Sequence, residues 1–121
     1  MASNSHSSPS REVQQCIQDC SDCAAICAQC AYHCLHMGGE HAGPEHQGVM
    51  LDCKQICALA VGFMARESRH MGHVCRECAE ICVACADSCE RLGHGDEMMK
   101  RCADICRRCA QSCEKMAGAG V

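Results

Sequence analysis

Cysteine stands where a helix usually carries leucine. From Cys16 it recurs at Cys20, Cys23, Cys27, Cys30 and Cys34, in steps that alternate four and three residues. That alternation is the buried seam of an α-helix, which returns to one face every three or four residues. The seam returns at Cys75, Cys78, Cys82, Cys85 and Cys89, and again at Cys102, Cys106, Cys109 and Cys113, with a shorter copy at Cys53 and Cys57. Other apolar residues extend the same registers. Val13 and Met37 flank the first, Met50, Ala60 and Met64 continue the second, Met71 precedes the third, and Met99 and Met116 bracket the fourth. Charges fall between seam positions. Glu97/Arg101 and Asp104/Arg108 are i,i+4 pairs on the wet face, each contributing about 0.2–0.5 kcal/mol.

The punctuation between these runs predicts four helices, over residues 9–37, 44–66, 69–92 and 97–116. Ser8 and Pro9 read as a cap followed by proline in the first helical position. Gly38 and Gly39 stop the first helix and open the longest connection. Pro44 starts the second, and Ser68 is the expected cap of the third. Gly93-His94-Gly95-Asp96 is a tight turn whose Asp96 caps the fourth. Residues 1–8, polar and Ser-rich, are expected to be disordered, and residues 118–121 to fray. Four amphipathic helices with short connections predict an all-α fold, an antiparallel four-helix bundle with a cysteine-lined core.

Composition sharpens this picture. Leu, Ile, Val and Phe together make up well under a fifth of the 121 residues, tryptophan is absent, and Tyr32 and Phe63 are the only Tyr and Phe. So few large apolar side chains would normally signal disorder. The strict periodicity and the net charge of −4 argue against it. The expected core is thin, with Cys and Ala in place of larger residues, so metal or oligomerisation should contribute to its stability. The seventeen cysteines are odd in number, which excludes a complete intramolecular disulfide set. Residues 1–10 carry no basic start and no apolar run, and no stretch reads as membrane-spanning, so a cytoplasmic protein with reduced thiols is expected. The slightly acidic balance argues against a nucleic-acid partner.

Thiolates in such number select soft or borderline metals: Cu(I), Zn(II), or iron in clusters. Side chains four apart on a helix lie about 5–6 Å from each other at Cβ, and a metal between two sulfurs spans roughly 4.6 Å. The pairs Cys16/Cys20, Cys23/Cys27, Cys30/Cys34, Cys53/Cys57, Cys78/Cys82, Cys85/Cys89, Cys102/Cys106 and Cys109/Cys113 all have that spacing. Each Cu(I) replaces one thiol proton, so one copper per cysteine leaves the core charge unchanged. A Zn(II) with four thiolates keeps two negative charges, and several such sites in one low-dielectric core would be costly. Two other readings stand beside multiple Cu(I) ions: a zinc or mixed-metal thiolate buffer, and a structural bundle whose cysteines only pack. Iron–sulfur runs wrap a loop around one cluster, which a helical ladder does not do. One end of an up-down-up-down bundle gathers His33, His36, Met37, His41, His46, Met50, His94, Met98 and Met99. Of these, Met50 and His94 are the candidates for additional metal donors at a mouth, and the others read as packing or solvated residues. Met64, Met71 and Met116 would plug the opposite end. No carboxylate or histidine forms a catalytic motif, so no enzymatic activity is expected.

The unit Cys-Ala-x-x-Cys-x-x-Cys-Ala-x-x-Cys occurs at Cys23–Cys34, Cys78–Cys89 and Cys102–Cys113, and Cys53-Lys54-Gln55-Ile56-Cys57 is a half-copy. This triple ladder resembles the bacterial copper storage proteins over roughly residues 10–116, and the absence of an export signal resembles their cytosolic branch. The resemblance implies a four-helix bundle, assembly into a homotetramer, and many Cu(I) ions held by the seam cysteines. By position the ligands would be Cys16, Cys20, Cys23, Cys27, Cys30, Cys34, Cys53, Cys57, Cys75, Cys78, Cys82, Cys85, Cys89, Cys102, Cys106, Cys109 and Cys113. Ala60 and Met64 stand where the second helix would have continued its thiols, so the end near Cys16 and Cys20 is expected to hold fewer ions.

Overall fold

The computed structural model describes residues 9–118. They form α1 (Arg11–Met37), one 3-10 turn (Gly39–Ala42), α2 (Pro44–Ala65), α3 (Met71–Leu92) and α4 (Glu97–Met116), with no strand among the described residues. The expected disordered tail 1–8 and residues 119–121 lie outside the described residues.

Local chemistry sets the helix ends. α1 begins at Arg11 and not at residue 9, because Ser10 supplies the cap in place of Ser8. Its Oγ accepts from the Val13 N–H at 3.3 Å, and Pro9 sits ahead of the cap. α3 begins at Met71 and not at residue 69. Ser68 folds the preceding turn instead of capping: its Oγ accepts from the His70 N–H at 3.0 Å, and its carbonyl accepts from the Met71 N–H at 3.1 Å. Glu67 takes a left-handed conformation to make that turn, with φ 52°. Pro44 opens α2 directly after Gly43. Asp96 caps α4, its Oδ1 accepting from the Met99 N–H at 3.0 Å.

The helices run up, down, up and down. α1 packs on α2 and α4, and α3 packs on α2 and α4, which closes a ring around one axis. Every cysteine is buried. The largest fully buried side chains are Met50, Met64, Met99 and His46. Ala79, Ala86, Ala103 and Ala110 are buried on α3 and α4, where small side chains let the two helices approach closely.

α2 corrects one expectation. It is long and apolar enough, by length and composition, to cross a membrane. Its charges end at Lys54, and residues 55–65 carry none. Its face of Met50, Cys53, Cys57, Ala60 and Met64 is buried in the bundle, so here it serves as a bundle helix.

The α3–α4 turn is held at several points. The Gly93 N–H donates to the Cys89 carbonyl at 2.8 Å, and Gly95 takes φ 76°. Asp96 Oδ2 accepts from His33 Nε2 at 2.7 Å, which ties the turn to α1. That hydrogen bond holds the Asp96 carboxyl below its ordinary range. A Cβ on Gly93 would lie 2.5 Å from Met99 Cβ and 2.6 Å from the Cys89 carbonyl oxygen, so only glycine fits. Gly93→Ala should therefore destabilise the apo bundle by about 1–3 kcal/mol. Chemical denaturation of the reduced protein measures this, and an unchanged midpoint would contradict the close approach.

Candidate metal centre

The four seams meet as one column of sulfur. Near the start of α1, Cys113 Sγ lies 3.7 Å from Cys16 Sγ and 3.5 Å from Cys20 Sγ. Cys109 Sγ is 3.5 Å from Cys20 Sγ. Farther along, Cys57 Sγ touches Cys78 and Cys82 at 3.7 Å and Cys109 at 3.8 Å. Cys23 reaches Cys53 at 3.7 Å and Cys106 at 3.6 Å, and Cys53 reaches Cys82 at 3.8 Å. Cys27 then contacts Cys85 at 3.9 Å and Cys106 at 3.8 Å. Most of these contacts cross between helices. Two of the i,i+4 pairs singled out by spacing also touch, Cys78/Cys82 at 3.9 Å and Cys109/Cys113 at 4.0 Å.

With metal–sulfur bonds of about 2.3 Å, sulfurs around one ion stand roughly 3.8 Å apart in a tetrahedron, 4.0 Å in a triangle and 4.6 Å across a linear pair. The column already has these separations. Among the groups whose donor atoms lie within 4.8 Å of one another are five sets of four sulfurs. They are Cys20/Cys78/Cys109/Cys113, Cys23/Cys53/Cys57/Cys82, Cys23/Cys27/Cys53/Cys106, Cys27/Cys85/Cys102/Cys106 and Cys57/Cys78/Cys82/Cys109.

At the end near the C-terminus of α1, other donors join the thiols. Met99 Sδ lies 3.4 Å from Cys30 Sγ and 3.2 Å from Cys34 Sγ. Met50 Sδ lies 3.4 Å from Cys85 Sγ and 3.7 Å from Cys89 Sγ. His46 is buried, with Nε2 3.4 Å from Cys34 Sγ and Nδ1 2.7 Å from Ser88 Oγ. Burial pushes the His46 imidazole below its ordinary pKa, so it is neutral near pH 7. In the tautomer whose Nδ1–H donates to Ser88, Nε2 turns a lone pair toward Cys34.

The opposite end is closed by packing. Met64 and Met116 are buried there, and Met71 is half-buried. Beside it a buried carboxylate joins α1 to α4: Asp19 accepts from Ser112 Oγ through Oδ2 and from Gln15 Nε2 through Oδ1 at 3.0 Å.

Crowding governs the thiol protons. Burial raises the Cys34 thiol. Cys20, receiving a hydrogen bond from Cys109, is held down to about 2, whereas Cys57 beside the same Cys109 is pushed up. At Cys75 a hydrogen bond from Cys113 is outweighed by Cys16 and by burial, and its thiol rises to about 12. So many acids in one small volume cannot all ionise, because each thiolate makes the next one harder to form. A cation relieves that conflict.

Of the two extra donors expected from sequence, Met50 sits in the column, whereas His94 lies exposed in the α3–α4 turn. Sequence reading placed His46 and Met99 at this end but took them as packing or solvated residues. A signal for each was present. His46 precedes Met50 by four residues, and Met99 precedes Cys102 by three, so both continue their seams.

An all-helical bundle with a shared column of thiols along its axis is a soft-metal-binding protein. Comparison with known proteins narrows the class. The sequence profile of the copper storage proteins matches residues 9–118. A solved structure from Nitrosospira multiformis, Nmul_A1745, is 42% identical, with a TM-score of 0.82 over 88% of this chain and 95% of that one. The Cu(I)-bound copper storage protein BsCsp3 is 34% identical, with a TM-score of 0.81 over 89% of this chain and 100% of that one. A cytosolic copper storage protein from Streptomyces lividans, loaded with five coppers, is 28% identical, with a TM-score of 0.80 over 89% of this chain and 93% of that one. The chain belongs to the copper storage protein family.

Met99 gives a structural test of the column's end. Met99→Leu conserves volume and should cost less than about 1.5 kcal/mol, whereas Met99→Ala leaves a cavity beside Cys30 and Cys34 and should cost about 2–5 kcal/mol. Denaturation of the reduced apo proteins compares them, and equal midpoints would show that Met99 does not fill the core.

Proposed function

We propose that the protein stores Cu(I), holding many ions at once on the seventeen cysteines of the bundle core. One observation carries this reading: neighbouring four-sulfur sets share their sulfurs. Cys23, Cys27, Cys53, Cys57, Cys78, Cys82, Cys106 and Cys109 each belong to two of the five sets named above. Sulfurs shared in this way suit bridging thiolates and low-coordinate Cu(I). Separate tetrahedral zinc ions could fill only three of those five sets without sharing a ligand: Cys20/Cys78/Cys109/Cys113, Cys23/Cys53/Cys57/Cys82 and Cys27/Cys85/Cys102/Cys106. Each zinc would also leave two uncompensated negative charges in the core. Family membership supports the same reading.

Finer features follow from it. All of the column cysteines act as ligands, with Met50, Met99 and His46 as weaker donors where the column meets the loops. The protein works in the cytoplasm without enzymatic activity, as a homotetramer in which each bundle carries its own copper. Its use is to keep copper from redox cycling and from displacing other metals.

An anaerobic Cu(I) titration of the fully reduced protein, read against a competing chelator, tests this. The expected endpoint is near one copper per cysteine, and about four ions or fewer, the most that seventeen cysteines could supply as separate four-thiolate sites, would favour zinc chemistry. Cys27 lies in two of the sulfur sets. Cys27→Ser should lower the endpoint by about one or two ions and leave the helical content unchanged.

A further inference from the structure

Just before its last cysteine, each full copy of the cysteine repeat carries a polar residue: His33, Ser88 and Ser112. All three make a hydrogen bond to a polar side chain of another element. His33 Nε2 lies 2.7 Å from Oδ2 of Asp96, the cap of α4. Ser112 Oγ donates to the buried Asp19 of α1. Ser88 Oγ lies 2.7 Å from Nδ1 of the buried His46 in the first turn of α2. The partners differ in one respect. Carboxylates such as Asp19 and Asp96 only accept. A neutral imidazole does both, and which nitrogen donates depends on where its single proton sits.

The other side of His46 decides where that proton is needed. His46 Nε2 lies 3.4 Å from Cys34 Sγ, and Cys34 Sγ lies 3.2 Å from Met99 Sδ. A thioether sulfur only accepts. While Cys34 is a thiol, one chain of hydrogen bonds gives every proton an acceptor. Ser88 Oγ–H donates to Nδ1, Nε2–H donates to Cys34 Sγ, and Cys34 S–H donates to Met99 Sδ. The opposite tautomer would leave the Ser88 proton to water. When Cu(I) replaces the Cys34 proton, which passes to solvent, a nitrogen that is to bind copper must turn a lone pair inward. The ring proton then belongs on Nδ1, where it is donated to Ser88 Oγ. The ring keeps one proton and no charge in both states, and only the proton's place changes.

We propose that Ser88 is a positioning residue for this end of the column. Its hydroxyl reverses the hydrogen bond with His46, donating to Nδ1 in the reduced apo protein and accepting from Nδ1–H in the copper-loaded one. Nε2 is thereby turned from a donor to Cys34 into a ligand for copper. A hydroxyl suits this part because it donates and accepts through one rotating proton. A carboxylate or a backbone carbonyl, the usual partners of a metal-binding histidine, only accepts and would hold one tautomer throughout. Ser88 is also placed to rotate. It is half-buried, whereas His46 and Cys34 are buried, and its hydroxyl makes no other hydrogen bond among the described residues. The loaded half of this role rests on the Cu(I) storage reading; the apo half stands on the reduced protein alone.

The test is 15N NMR of the imidazole nitrogens in 15N-labelled, reduced, full-length protein, with and without Cu(I). His46 is assigned by the signals missing from His46→Gln. Protonated and bare ring nitrogens resonate far apart, so the tautomer is read directly, and the wild-type comparison needs no substitution. Nε2–H is expected in the apo protein and Nδ1–H after loading. In Ser88→Ala the apo ring should lose its single tautomer, and one copper per chain should be held about 10–100-fold more weakly against a competing chelator. Ser88→Thr keeps the hydroxyl and should restore both, which a packing role for Ser88 would not require. The same tautomer in both wild-type states would overturn the role. So would wild-type tautomer and copper affinity in Ser88→Ala, or a Ser88→Thr protein that behaves like Ser88→Ala. The copper count separates this role from storage: a full column beside a ring that does not switch overturns the role of Ser88 alone, whereas an empty column overturns storage and the loaded half of the role with it.

Discussion

The fold depends on one double demand: the same cysteines must pack as a core and stand within bonding distance of shared ions. Reduced cysteine satisfies both. It is small and apolar enough to be fully buried, and four seams of it draw the helices close enough for Sγ–Sγ contacts of 3.5–3.9 Å across the axis. Leucine would have filled the space and pushed the backbones apart. The thin core is therefore the condition for the metal column and not a deficiency in packing. Helix caps and the turn fixed by Gly93 and Asp96 add to the stability, and bound metal would add more.

The two ends of the column differ for the same reason. Where α2 substitutes Ala60 and Met64 for thiols, the end is plugged and a buried Asp19–Ser112 contact ties the helices beside it. Where α2 enters from the loop, His46, Met50 and Met99 continue the seams with softer or weaker donors next to Cys34, Cys30, Cys85 and Cys89. Neutral imidazole and thioether bind Cu(I) without adding charge, which suits them to an end that meets the loops.

Much of this was legible in the sequence. Periodicity alone placed the four helices and turned every cysteine inward, because a three-four alternation leaves no freedom about which face is buried. Pro44 and Asp96 marked helix starts through local chemistry that needs no tertiary partner. Ser8 misled because several serines crowd that end of the chain and Ser10 takes the cap, and Ser68 misled because the turn itself uses its hydroxyl and carbonyl. His94 and His46 were misjudged for a related reason. His94, in a loop, carries no sign of its direction, whereas the extension of the α2 seam by four residues ahead of Met50 shows that His46 points inward. Cross-helix sulfur pairing was not legible at all, since helix register relative to a neighbour is fixed by packing and not by spacing along one chain.

The most direct measurement is X-ray absorption at the copper edge on the fully loaded protein. Shared thiolates require each copper to be bound by two or three sulfurs at about 2.3 Å, with a neighbouring copper close enough to share them. That is the expected spectrum. Isolated copper ions, or coordination dominated by nitrogen and oxygen, would contradict a thiolate column and leave the cysteines as packing.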